Sequence, residues 1–162
     1  MSEVRLSPMG EDDFQRFREV YVREMAEENI NAGIWKAMEA MERSQRAFED
    51  LLPEGRDAAR HHFFLIIDTL TGQSVGHLWF KQEEGPDGPV GFLFDLCVDK
   101  KHRGKGFGTA AIKALDSEAQ KMGLRAMRLN VLSNKAVAVH LYESRGYWPR
   151  TYEMVKEYPA KR

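Results

Sequence analysis

The residues best suited to chemistry lie where an apolar run meets a glycine-rich turn. Leu96, Cys97 and Val98 close the run, Asp99, Lys100, Lys101 and His102 follow, and Arg103-Gly104-Lys105-Gly106-Phe107-Gly108-Thr109 makes the turn. Three alternating glycines let the backbone take φ > 0 and approach an anion without Cβ atoms in the way. Ala111, Ile112, Leu115, Ala119 and Met122 then recur at helical spacing, which predicts a helix over Thr109–Met122. Its unpaired first amides and positive dipole end would face the same anion. The turn therefore reads as a pyrophosphate cradle, with a solvated loop capping a helix as the plainer reading. His102 is expected to face solvent or phosphate.

Spacing separates this turn from other phosphate-binding loops. No window fits the P-loop pattern, and a Gly-x-Gly-x-x-Gly fingerprint begun at Gly104 would end on Thr109. Arg103, Gly106 and Gly108 do fit Gln/Arg-x-x-Gly-x-Gly/Ala, which resembles the coenzyme A motif of the GNAT superfamily of N-acetyltransferases. A second segment strengthens the resemblance. Ala138, Val139, Leu141, Tyr142, Glu143, Gly146 and Tyr147 fall on a pattern similar to the family's Asn-x-x-Ala-Ile/Val-x-Leu-Tyr-Glu-x-x-Gly-Phe/Tyr. Asn134 departs from it, standing eight residues before Tyr142 where the family has seven, so that Lys135 occupies the Asn position.

The resemblance implies an enzyme that moves acetyl from acetyl-CoA, its co-substrate, to a primary amine by direct attack in a ternary complex. It implies cofactor contacts from Arg103, Gly104, Lys105, Gly106, Phe107, Gly108 and Thr109, and from Asn134, Lys135 and Ala138. It also implies that the pantetheine arm bonds to the backbone of Leu96, Cys97 and Val98 like an added strand. Tyr142 would be the general acid for the departing thiolate. A phenol with a pKa near 10 keeps its proton at neutral pH and can donate it. Read from its own helix alone, Tyr142 is equally a core aromatic. A non-catalytic acyl-CoA sensor or scaffold is the alternative function.

The proton acceptor is harder to place. Positions where the family often carries a Glu are Phe92 and Asn130, and neither can accept a proton. Asp95 is the one acid inside the run 90–98, set among Phe92, Leu93, Phe94 and Leu96. Such a carboxylate serves either a function or a structural pair. A water relay to Asp95, Glu83 or Glu24 is the competing route. Glu24, Glu27 and Glu28 cluster near the end of the first helix and would suit a cationic amine. Cys97 reads as a small buried thiol, and no histidine or cysteine spacing suggests a metal site. Adjacent His61 and His62 are expected on opposite faces of a strand.

The elements that must hold these residues follow from periodicity. Val4–Pro8 reads as an edge strand, Glu11–Asn29 and Ile34–Leu52 as helices, and His62–Asp68, Ser74–Lys81 and Val90–Val98 as a meander. A strand over Arg125–Leu132, a helix over Ala136–Arg145 and a last strand over Tyr147–Tyr158 complete the order. The fold class is α/β (α+β): by resemblance the GNAT fold, a mixed, mostly antiparallel sheet flanked by helices, with strands 90–98 and 125–132 splayed at the cofactor cleft. The 162 residues suit a single domain, residues 1–162. A net charge of −1 excludes a strongly basic nucleic-acid binder. Residues 1–60 carry −5 and residues 61–162 carry +4, so the cradle lies in the positive part. With one cysteine and no long apolar run, the chain is expected to be cytoplasmic, without a membrane partner. The acceptor is expected to be a small-molecule or peptide amine, and the reading leaves room for a homodimer.

Overall fold

The computed structural model describes residues 2–161. Its contacts divide the chain into two units, one ending at Asn130 and one beginning at Val131. The first contains β1 (Val4–Pro8), α1 (Glu11–Asn31), α2 (Ala37–Leu51), β2 (His61–Asp68), β3 (Ser74–Gly85), β4 (Gly88–Val98), α3 (Phe107–Lys121) and β5 (Met127–Leu129). Its five strands lie in the order β1-β2-β3-β4-β5, antiparallel throughout except for the parallel pair β4–β5. This is the mixed α/β architecture expected from the sequence. The second unit holds α4 (Ala136–Ser144).

α1 begins where Glu11, Asp12 and Asp13 complement the positive helix end, and the Gly10 amide donates to Asp13 Oδ2 at 3.1 Å. Its inner stripe is Phe14, Phe17, Val22 and Ala26. α2 turns Ala40, Ser44 and Phe48, each four residues apart, against it. Small residues at this seam let the backbones close up, and buried Ser44 Oγ donates to the Val22 carbonyl at 2.6 Å. The helix pair and one face of the sheet form an aromatic core. Phe63 lies edge-on to Phe14 at 4.9 Å and stacks on Trp79 at 5.4 Å, and Trp79 stacks on Phe94 at 4.4 Å. Burying each such ring stabilises the fold by roughly 1.5–3 kcal/mol. Phe64, Ile66, Leu78 and Phe80 alternate onto the other face. α3 packs against β1 and β4 and buries Phe107, Ala111, Ile112 and Leu115.

One irregularity matters for the site. β3 and β4 pair Trp79 with Asp95 but Phe80 with Leu93, so Phe94 is an extra residue bulged out of β4. Strict alternation would send Phe94 and Asp95 to opposite faces. The bulge lets Phe94 stack on Trp79 while Asp95 reaches His77 on the same face. β5 pairs with β4 only from Gly91–Met127 to Leu93–Leu129. From Phe94 to Val98 β4 is bonded to β3 alone, the opening expected of splayed strands.

Several expectations need correction, among them the start of the second helix, which lies at Ala37 and not at Ile34. The strand predicted over 125–132 shortens to Met127–Leu129, because only that stretch finds β4 as a partner. The strand predicted over 147–158 does not form. No described residue after Ser144 lies in a regular element, and Trp148, Tyr152, Met154, Val155 and Tyr158 are exposed. Alternating apolar residues make a strand only where a neighbouring edge takes their hydrogen bonds, and this segment has no ladder partner. The third helix starts at Phe107, two residues early, which takes Gly108 into the helix.

Candidate functional site

The glycine turn is built as a helix entrance. Gly104 and Gly106 have φ of 73° and 85°, in the left-handed region, whereas Gly108 is helical, so two of the three glycines supply the positive φ expected of all three. Gly106 is the N-cap of α3, with no side chain bonded to the first-turn amides and no acid in that turn. A Cβ at Gly104 would meet nothing within 4 Å. Amides of Phe107, Gly108 and Thr109 precede the first intrahelical bond, which runs from the Ala110 amide to the Gly106 carbonyl at 3.1 Å. An open turn, uncapped amides and the dipole end together fit a pyrophosphate. Lys105 is exposed beside it, and its carbonyl accepts from Ser2 Oγ at 2.5 Å.

Arg103 is used locally. Its Nε donates to the Val98 carbonyl at 2.9 Å, which ties the turn to the end of β4. His102 differs from its expectation: the ring packs edge-on against Phe107, centroids 6.1 Å apart, and its Nε2 is buried instead of facing solvent. Leu96, Cys97 and Val98 are half-buried in β4 opposite Leu78, His77 and Gly76. Burial, then the nearby Asp95 and Glu24 charges, push the Cys97 thiol up to about 11, which keeps it protonated and poorly nucleophilic.

Asp95 is the centre of a polar cluster that no window of sequence contains. His77, on β3, bonds to it through Nε2 at 2.7 Å from Asp95 Oδ2. The His77 side chain is 9% exposed and the Asp95 side chain 22%, so the imidazole lies inside and the carboxylate nearer the surface. α1 covers the pair. Phe17 meets the His77 ring edge-on at 4.9 Å. Burial, then the charges of Asp95 and Glu28, raise the Tyr21 phenol. Burial, then Asp95, also raises the Glu24 carboxyl, while His77 and Arg103 act the other way. Glu24 thus feels the charge of Asp95, and both Tyr21 and Glu24 feel that of Glu28. Glu27, predicted with Glu24 and Glu28, is exposed. Glu83 is not part of the cluster: it sits opposite Val90, far along β3 from Trp79 and Asp95, and pairs with Arg128 at 2.7 Å.

Sequence reasoning missed His77 and Tyr21. The available signal was a histidine sharing a strand face with Trp79, two residues on. His61 and His62 do point to opposite faces: Trp79 Nε1 donates to His61 Nδ1 at 2.9 Å, while His62 stacks on Phe80 at 4.9 Å. Among the described residues no group of three or more His, Cys, Asp or Glu side chains is arranged to hold a metal. No described helix is long and apolar enough to cross a membrane.

In the second unit, Asn134 and Lys135 are exposed ahead of α4, Lys135 is its N-cap, and Ala138 is half-buried. Gly146, at φ 93°, follows the end of the helix, its amide donating to the Glu143 carbonyl at 3.1 Å. Tyr142 is half-buried and lies edge-on to Tyr147, ring centroids 5.4 Å apart.

Comparison with known proteins agrees with this geometry. Residues 19–147 match the acetyltransferase (GNAT) family. The uncharacterized N-acetyltransferase YdgE of Bacillus subtilis is 32% identical over 152 residues, 94% of this chain and 96% of that protein. YycN of the same organism is 31% identical over 95% of this chain and 98% of its own length. The YycN crystal structure superposes with a TM-score of 0.91, covering 97% of this chain and 99% of that one at 32% identity. With the family matched along most of the chain and the fold reproduced, the chain belongs to the acetyltransferase (GNAT) family and is an enzyme of the acyltransferase class.

Proposed function

We propose that this chain transfers the acetyl group of acetyl-CoA to a primary amine by direct attack within a ternary complex. The carrying observation is Asp95, just past the last β4–β5 pair, on the strand that ends at Val98 and leads through a single 3-10 turn, Lys100–His102, to the Gly104–Gly106 turn. Acetyl-CoA, when bound, supplies the activated acyl group. The amides following Gly106 hold its pyrophosphate, and the β4 backbone at Leu96–Val98 takes the pantetheine arm. Asn134, Lys135 and Ala138 are the further cofactor contacts of this reading. Glu24 and Glu28 draw the cationic acceptor in. Asp95 takes one proton from the ammonium, the nitrogen–carbon bond forms as the carbon–sulfur bond breaks, and the Tyr142 hydroxyl protonates the departing sulfur. The second nitrogen proton restores Tyr142, and Asp95 returns its own to water. No covalent enzyme intermediate is needed, so positioning carries much of the rate.

The family match runs from residue 19 to 147, through both units, which supports reading residues 1–162 as one domain. The cytoplasmic setting belongs to the same proposal. The test is thiol release from acetyl-CoA over a panel of primary amines: ethanolamine, putrescine, lysine and an alanine peptide with a free N-terminus. Turnover with intersecting initial-rate patterns supports the reading. Parallel patterns would replace direct attack with an acyl-enzyme, and coenzyme A binding without turnover of any amine would favour the sensor reading.

A further inference from the structure

A buried histidine in an aromatic core needs a reason. On the inner face of the sheet His77 is flanked by Leu65 and Cys97 across the ladders and by Phe17 from α1, where an apolar side chain would pack without a polar group to satisfy. Its Nε2 instead meets Asp95 Oδ2 at 2.7 Å, the distance of a charge-assisted bond. The two ends of this pair differ. At 9% exposure the imidazole has no route to an acceptor, while the 22%-exposed carboxylate sits beyond Leu93, where β5 no longer covers β4. The bulge at Phe94 brings Asp95 onto the histidine's face in the first place. A fold that needed only packing here would need neither the bulge nor the histidine.

We propose that His77 is a positioning residue for the transfer: its Nε2–H donates to Asp95 Oδ2 and turns the other carboxylate oxygen toward the acceptor amine. This rests on the reading of Asp95 as the proton acceptor. The proton leaving the ammonium goes to Asp95 and not to His77, whose Nε2 already carries one. The titratable groups that interact with the pair are Tyr21 and Glu24 of α1 and Cys97 on β4, and Glu28 and Arg103 act on these in turn.

Acetyl-CoA with the fastest amine of the panel provides the assay. His77→Phe keeps a ring against Phe17 but removes the donor, and kcat should fall roughly tenfold to a hundredfold, the size of one hydrogen bond to a charged group. KM for acetyl-CoA should stay unchanged. A carboxylate that loses a donor is easier to protonate, so the acid limb of kcat should move to higher pH. His77→Gln, which can still donate, should restore much of the rate and the limb. Asp95→Asn should lose ~10²–10⁴-fold, and adding His77→Phe to it should cost nothing more. An inactive Asp95→Asn beside a His77→Phe variant with unaltered kcat and pH profile overturns the positioning role and leaves the base in place. A fully active Asp95→Asn overturns both. Additive losses in the double variant would give His77 a role apart from Asp95. A measurement on the unaltered protein needs no amine: ¹⁵N NMR should show His77 protonated at Nε2, with a signal that Asp95→Asn shifts, and a bare Nε2 refutes the proposal.

Discussion

Gly106→Val is the most direct test of the cradle. At φ 85° Gly106 occupies backbone space that costs an L-residue about 1–2 kcal/mol, and more when β-branched. The nearest atom to an added Cβ is Ser2 Oγ at 3.9 Å, so no clash adds to this strain. For a chain of this size 1 kcal/mol moves Tm by about 2–4 °C, so the variant should melt about 2–8 °C low and still fold. Its response to ligand is the informative part. Coenzyme A at a hundred times its Kd should stabilise the unaltered protein by about 2.7 kcal/mol, or about 5–11 °C. In Gly106→Val the backbone leaves the left-handed region and the amides of Phe107, Gly108 and Thr109 are re-aimed, so most of this shift should vanish. Differential scanning fluorimetry against a coenzyme A titration reads both quantities. A folded Gly106→Val with an undiminished ligand shift would place the pyrophosphate elsewhere and refute the reasoning.

Three further outcomes follow from the site. Glu24→Lys with Glu28→Lys should raise the acceptor KM while leaving coenzyme A affinity alone, and added salt should weaken acceptor binding to the unaltered enzyme; an unchanged KM returns both residues to a solvated helix face. Tyr142→Phe keeps the ring against Tyr147 and should lower kcat by ~10²–10⁴-fold at unchanged Tm; near-normal turnover would withdraw the general-acid assignment. His61 is held neutral, first by burial and then by Lys81 and His62, with its pKa lowered to about 4 from an ordinary 6.5, and its Nδ1 must stay unprotonated to accept from Trp79. Its contribution to stability is therefore complete above pH 6.5 and is lost as pH falls toward 4, because only the unfolded chain takes up the proton in that window. The ring is partly exposed, so the loss should be a fraction of 1.4 kcal/mol per pH unit. Urea unfolding at pH 7.5 and 5 should show a smaller pH effect in His61→Asn, and equal slopes would refute it.

What was legible in the sequence was local. The order of elements through α4 and the glycine turn follow from spacing and residue type within short windows, where backbone propensity and apolar periodicity act. The same windows misjudged features whose cause lies in a partner. Tyr147–Tyr158 has the apolar content of a strand but no ladder to join, and Gly108 has the freedom for positive φ but is recruited by a helix that starts at Phe107. The polar cluster around Asp95 belongs wholly to tertiary structure. Asp95 could be singled out as an acid among aromatics, yet whether it met a partner depended on a one-residue slip between β3 and β4, and such a slip decides which face every side chain occupies. His77 meets Asp95 across the β3–β4 ladder, whereas Glu24 and Tyr21 come under its charge only because α1 lies across that face, an outcome of packing Phe14, Phe17 and Phe48 against Phe63 and Trp79. Periodicity determines which residues each element can present; register and packing determine which of them meet.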